Sequence, residues 1–104
     1  MSDTHARFFK SLSSRSRTKI LQILADKDEL SVEEITKLLD IAGATVSRHL
    51  QILRIQEIVS VRRDAQNRYY SLNRPQLVQQ VTAFLTDLKI DTSLISTTRD
   101  SSLK

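Results

Sequence analysis

The chain has 104 residues, 39% of them hydrophobic, and its sixteen Lys and Arg against twelve Asp and Glu leave a formal charge of +4 at pH 7. That length supports one core and not two. The absence of cysteine excludes disulfides, thiol switches and thiolate metal sites.

One glycine and one proline argue against loop-rich β architectures, which need glycine at tight turns. No apolar run approaches the ~20 residues of a membrane span, and Met1-Ser2-Asp3-Thr4-His5 lacks the basic and apolar regions of a secretory signal. A small, mostly helical, cytoplasmic domain without a membrane partner is expected.

His5 to Leu12 carries Phe8, Phe9 and Leu12 at helical spacing, and Ser13-Ser14 interrupts it. From Arg15 to Asp26 the apolar positions Ile20, Leu21, Ile23 and Leu24, with Arg17 ahead of them, predict a second amphipathic helix. Asp26-Lys27-Asp28-Glu29 breaks the pattern. Leu30 then leads into Ser31-Val32-Glu33-Glu34, an S-x-x-E capping box in which the Ser31 hydroxyl accepts from the Glu34 amide while the Glu34 carboxylate reaches back. Ile35, Leu38 and Leu39 are expected on the inner face of that helix, which stops at Asp40.

Asp40-Ile41-Ala42-Gly43 reads as a short connection, with Gly43 as a turn residue. The helix from Thr45 to Arg54 places Val46, Leu50 and Leu53 inward, at i, i+4 and i+7. Its opposite face is Ala44, Thr45, Ser47, Arg48 and Gln51, which holds no acid. Two helices joined this closely predict a helix-turn-helix. The period then changes to two. Val59 and Val61 share one face and Ser60 and Arg62 the other; Asp64-Ala65-Gln66-Asn67 is a polar turn in which Asn67 suits a positive φ; Arg68 to Leu72 returns with Tyr70 and Leu72 together. Beyond it Pro75 opens a last helix, with Leu77, Val81, Phe84 and Leu88 in one stripe and Val78 and Leu85 beside them. The order helix, helix, helix-turn-helix, hairpin, helix is that of a winged helix-turn-helix, mainly α with a small β-hairpin. Residues 1–90 are expected to form that domain and 91–104 a Ser/Thr-rich tail.

Charge is segregated along this order. Residues 26–40 hold six acidic and two basic groups, whereas residues 41–74 hold six arginines against Glu57 and Asp64. Arginine's rigid fork of donors suits phosphates and guanine edges, so the expected partner is double-stranded DNA. Arg48 would read a base edge, with Ser47 beside it, and Arg62, Arg63 and Arg68 at the hairpin would follow the backbone or the adjoining minor groove. A protein-interaction module and an RNA-binding winged helix are the alternatives. Catalysis is not expected. Ser47 and His49 lie two apart on a helix and cannot pair as nucleophile and base, and one glycine makes no phosphate loop.

Phe8-Phe9-Lys10-Ser11-Leu12-Ser13, Arg17 with Lys19-Ile20-Leu21, and Leu30-Ser31-Val32-Glu33-Glu34-Ile35 resemble the opening of ArsR/SmtB-type repressors. Thr45-Val46-Ser47-Arg48-His49-Leu50-Gln51-Ile52-Leu53-Arg54 resembles that family's recognition helix, and Arg68-Tyr69-Tyr70-Ser71-Leu72 its wing and return strand. The resemblance implies a prokaryotic homodimeric repressor on an inverted-repeat operator, associated with the nucleoid when bound. It places the terminal helices, with Phe8, Phe9, Leu12, Leu77, Val81, Phe84, Leu85 and Leu88, at the dimer interface.

The chain departs from the family pattern at several positions. Asp40 and Glu57 stand where the family has glycine, and Asp can take the left-handed conformation there at some cost. Ala42-Gly43-Ala44 replaces a polar stretch, which shifts expected base readout to Ser47 and Arg48, with Thr45 capping the helix or touching a phosphate. The family's metal and sulfur sensors use cysteines, or His and carboxylates on the last helix. Here there is no cysteine, the last helix offers Asp87 alone, and His5 stands isolated near the terminus. His49 is expected to pack or to touch a phosphate rather than to bind a metal, and the Asp28/Glu29/Glu33/Glu34 cluster lacks an EF-hand spacing. No metal site and no cofactor are expected, and the sequence names no inducer.

Overall fold

In the computed structural model, which describes residues 3–93, the chain runs α1 (Thr4–Leu12), α2 (Arg15–Lys27), β1 (Leu30–Ser31), α3 (Val32–Leu39), α4 (Gly43–Ile55), β2 (Val59–Asp64), β3 (Asn67–Leu72) and α5 (Arg74–Asp87). Residues 94–104, most of the expected tail, lie outside the described residues.

Local chemistry accounts for where the helices begin. The Ser14 hydroxyl accepts from the Arg17 amide and starts α2. Ser31 and Glu34 form the complete capping box, at 3.2 and 2.8 Å, and start α3. Asn73 caps α5 through Gln76, with Pro75 in the first turn, where its missing N–H costs nothing. At α4 the N-cap is Ala42, and no side chain caps the helix. Thr45 therefore does not cap, and Gly43 is its first helical residue rather than a turn residue.

Left-handed turns fall on residues other than glycine. Asp40 ends α3 at φ 54°, ψ 48°, and Glu57 follows α4 at φ 61°. Both conformations match the glycines they replace in the family pattern, at a cost of roughly 1–2 kcal/mol each. In the hairpin the positive φ sits on Ala65, at 58°, and not on Asn67. Asp64 and Asn67 are the last registered pair, so the loop is Ala65-Gln66, and a positive φ at the first loop residue alone is the type II′ pattern.

The sheet has three strands, ordered β1-β3-β2 and antiparallel throughout. The hairpin was expected; β1 was not, because two residues are too few to show a period. Leu30 and Ser31 pair with Tyr70 and Tyr69 and tie the start of α3 to the wing.

The core gathers Phe8 from α1, Ile20 and Leu24 from α2, Ile35 from α3, and Val46, Leu50 and Leu53 from α4, closed by Ile58, Val59 and Tyr70 below. Leu38, expected inward, is 52% exposed, so α3 buries Ile35 and half-buries Leu39 instead. Phe8, expected at a dimer interface, is 1% exposed and belongs to the core of its own chain.

No residue of α5 is fully buried. Leu77 packs on the core, and Phe84 stacks edge-on against Phe9 at 4.8 Å and His5 at 5.4 Å. His5 is not isolated: its Nε2 meets Asp87 Oδ2 at 2.5 Å, so the terminal helices clasp each other within one chain. Two groups do not make a metal centre, and no cluster of three or more His, Asp or Glu able to hold a metal occurs among the described residues. No described helix is long and apolar enough to cross a membrane.

Candidate nucleic-acid interface

The buried positions of α4, Val46, Leu50 and Leu53, fix which side of the helix faces out. At 3.6 residues per turn, the opposite side presents Ala44, Ser47, Arg48 and Gln51, all exposed, with Thr45 half-buried at its edge. The first-turn amides lack a capping side chain and retain the partial positive charge that favours a phosphate.

His49 lies on the flank toward α2. Its Nδ1 accepts from Arg17 Nη1 at 3.1 Å, while Arg17 Nε donates to the carbonyl of Ser11 at 2.6 Å. Arg17 therefore ties the end of α1 to the exposed helix. Accepting at Nδ1 leaves the ring hydrogen on Nε2. Burial pushes the His49 pKa below its ordinary 6.5, and the charges of Arg17 and Arg48 push the same way.

A depressed histidine pKa means that, below about pH 6.5, the unfolded chain binds more protons than the folded one. Stability is therefore lost as pH falls from 6.5 toward the folded value, and is unaffected by this group above it. A His49→Gln chain, which cannot protonate, is expected to lose less stability than the natural chain across that window. Urea unfolding followed by circular dichroism at stepped pH checks this; parallel pH profiles for the two chains would refute it.

The wing arginines do not act alike. Val59, Val61 and Arg63 alternate along one face of the sheet, and Arg63 sits opposite Arg68 at the exposed tip. Arg62 points to the other face. There the row Arg62–Tyr69–Ser31 crosses the three strands, and the Arg62 guanidinium lies 4.8 Å over the Tyr69 ring. It reaches Glu29 through two hydrogen bonds of 2.9 Å. These bonds hold the Glu29 carboxyl below its ordinary range and raise the Arg62 guanidinium. Glu29, which the sequence showed only as part of an acidic cluster, thus neutralises one of the three expected backbone contacts. Opposite charges were the only signal for it in the sequence, and β1 is what brings them together.

The expected residues therefore divide. Ala44, Ser47, Arg48 and Gln51 share an exposed face, Thr45 borders it, and His49 is anchored to Arg17 at its flank. Arg63 and Arg68 make no ion pair among the described residues, and Arg62 is engaged.

Comparison with known proteins bears on the family and the fold. The sequence pattern described as "Bacterial regulatory protein, arsR family" matches residues 14–61, from the cap of α2 into β2. The transcriptional repressor SdpR of Bacillus subtilis is 36% identical over 73 residues, which are 70% of this chain and 80% of that protein. The chain belongs to the arsR family of bacterial regulatory proteins. This arsR-family chain is also 36% identical over 76 residues to a homolog of the cadmium resistance transcriptional regulatory protein CadC from Staphylococcus aureus, and spans 63% of that protein's length. Among solved structures it resembles the homodimeric winged helix-turn-helix DNA-binding domain of Mb0332 from Mycobacterium bovis. The TM-score is 0.65 at 32% identity, covering 80% of this chain and 81% of that one. The winged helix-turn-helix of the arsR family is thus the fold of this chain.

Proposed function

We propose that this chain is a sequence-specific DNA-binding repressor, a binding protein rather than an enzyme, that acts as a homodimer on an inverted-repeat operator. The observation that carries the reading is the outward face of α4, exposed and free of acids, with Arg48 and Ser47 at its centre and the pair Arg63 and Arg68 at the wing. In this reading α4 enters the major groove, Arg48 donates bidentately to guanine O6 and N7, and Ser47 and Gln51 reach neighbouring edges. Ala44 and Thr45 approach the backbone beside the uncapped amides, and His49 offers Nε2–H. Arg63 and Arg68 hold the flanking phosphates. Two copies set half-sites about one helical turn apart, and repression follows from covering promoter sequence. The homodimer of Mb0332 and the repressor SdpR support the assembly and the sign of regulation. The cadmium of the CadC homolog does not carry over, since this chain has no thiolate to offer a soft metal.

In vitro selection of bound duplexes from a random pool tests the reading. A repressor enriches an inverted repeat bound ~10³-fold or more above random sequence. An interaction module enriches nothing, and an RNA-binding domain prefers RNA of the same sequence. Either of these outcomes overturns the proposal.

The wing supplies a separate expectation. Arg63→Ala and Arg68→Ala each weaken binding to all duplexes alike and flatten the salt dependence by about one unit per lost phosphate contact. Arg62→Ala changes that slope less, because Glu29 already holds its guanidinium. Fluorescence anisotropy across a salt series checks this, and equal slope changes for all three would show that Arg62 leaves Glu29 on DNA.

A further inference from the structure

Beside the outward face of α4, a cleft of about 280 Å³ opens between α1, the start of α2 and the last turn of α4. Its floor is apolar, formed by Ile52 and Ile55, the latter 66% exposed. Its ionisable lining residues are Arg7, Lys10 and Arg17, and no acid joins them. The Arg7 and Lys10 side chains make no ion pair or hydrogen bond among the described residues. Arg17 spends Nε on Ser11 and Nη1 on His49, which leaves Nη2 without a partner among the described residues.

We propose that this cleft is an effector site for a small carboxylate with an apolar body, a short acyl or aryl acid, and that Arg17 couples it to α4. Three cations around a hydrocarbon floor complement one negative charge attached to an apolar group. A bare phosphate would satisfy the cations and leave Ile52 and Ile55 wet. The volume is near the lower end of the ~300–1,000 Å³ of small-molecule clefts, which restricts the occupant to a short chain or a single ring.

The site lies on the side of α1 away from α5. The face of α1 that packs on α5 carries His5 and Phe9, and at 100° per residue Arg7 and Lys10 project from the opposite side. A carboxylate at the cleft mouth competes with His49 Nδ1 for the Arg17 guanidinium. It also cancels positive charge beside the helix that faces DNA. Both effects lower DNA affinity, so the ligand acts as an inducer. This coupling, though not the binding itself, rests on the DNA-binding reading above.

The test titrates the full-length chain with octanoate and follows backbone amides and the His49 ring nitrogens by NMR. Saturable shifts are expected around residues 7–17 and 52–56 and at the His49 ring. Acetate at equal ionic strength should give none, and affinity should fall about fourfold for each methylene removed from the acid. Arg7→Gln with Lys10→Gln, both exposed positions that leave the core intact, should weaken octanoate at least tenfold, and Ile55→Ser should remove the dependence on chain length. Saturating octanoate should release the selected operator in an anisotropy assay. No saturable shift, or shifts that survive the double substitution, overturns the site. Binding at the cleft with no change in operator affinity or in the His49 ring overturns the coupling. Should no specific DNA be selected, the octanoate titration still decides the site by itself.

Discussion

A chain carrying Val78→Asp is expected to sediment as a folded monomer and to lose roughly 10²–10⁴-fold of its operator affinity, the gain that joining two half-site contacts provides. Val78 is 65% exposed, and Leu77, Val78, Val81 and Thr82 line a shallow apolar hollow on α5. With Leu85 they form a stripe at i, i+3/i+4 and i+7 that the single chain leaves largely uncovered, and Leu88 and Ile90 extend it at 53% and 44% exposure. A two-fold axis through such a face buries each side chain twice, at up to ~1.5–3 kcal/mol per large aliphatic residue. An aspartate there is harmless in the monomer and unpaired in the dimer.

Phe84 is the less informative target. Its ring is committed to Phe9 and His5 of its own chain, so Phe84→Asp loosens the clasp between α1 and α5 as well as any interface. Sedimentation velocity at micromolar concentration, beside a circular dichroism spectrum, separates the cases. A Val78→Asp chain that remains dimeric, or a natural chain that is monomeric yet binds its inverted repeat tightly, refutes the assignment.

Why Val78 and not Phe84 becomes the diagnostic residue shows how far a sequence of this kind can be read. Periodicity identified α5 as amphipathic, but its apolar residues serve two masters: Phe84 turns toward α1, and Val78 and Val81 stay exposed. Spacing alone cannot say which neighbour takes which side, because that depends on where the first helix of the chain returns in space. The helix-turn-helix was legible because its signals are local. The capping box at Ser31 and Glu34, the left-handed stop at Asp40, and Val46, Leu50 and Leu53 at helical spacing each act within one or two turns.

The contacts that were not legible are all long-range. Glu29 meets Arg62 across 33 positions and Arg17 meets His49 across 32, and nothing in the intervening chain marks them as partners. Both bear on the proposed interface. One engages an arginine that the wing would otherwise offer to phosphates, and the other braces the exposed helix through His49 Nδ1 while leaving Nε2–H for a further contact.

Replacing Arg48 with Ala is expected to weaken specific binding by ~1–3 kcal/mol per half-site and to erase preference at one base position in each. The grounds are geometric. Arg48 stands at the centre of the exposed face of α4, it makes no ion pair within the described residues, and α4 contains no acid to compete for it. Its five donors are therefore free for a base edge, which a wing residue following the backbone cannot read. Arg48→Lys separates charge from shape. A lysine keeps the positive charge, and with it the salt dependence, but loses the planar fork that grips O6 and N7 together. The lysine chain should thus hold its nonspecific affinity and its salt slope while its base preference collapses toward that of Arg48→Ala. Selection from a randomised half-site, run for the natural chain and both variants, reads the three profiles directly. If Arg48→Lys and Arg48→Ala keep the natural profile and differ only in salt slope, Arg48 is a phosphate contact and the reading of sequence passes to Ser47 and Gln51.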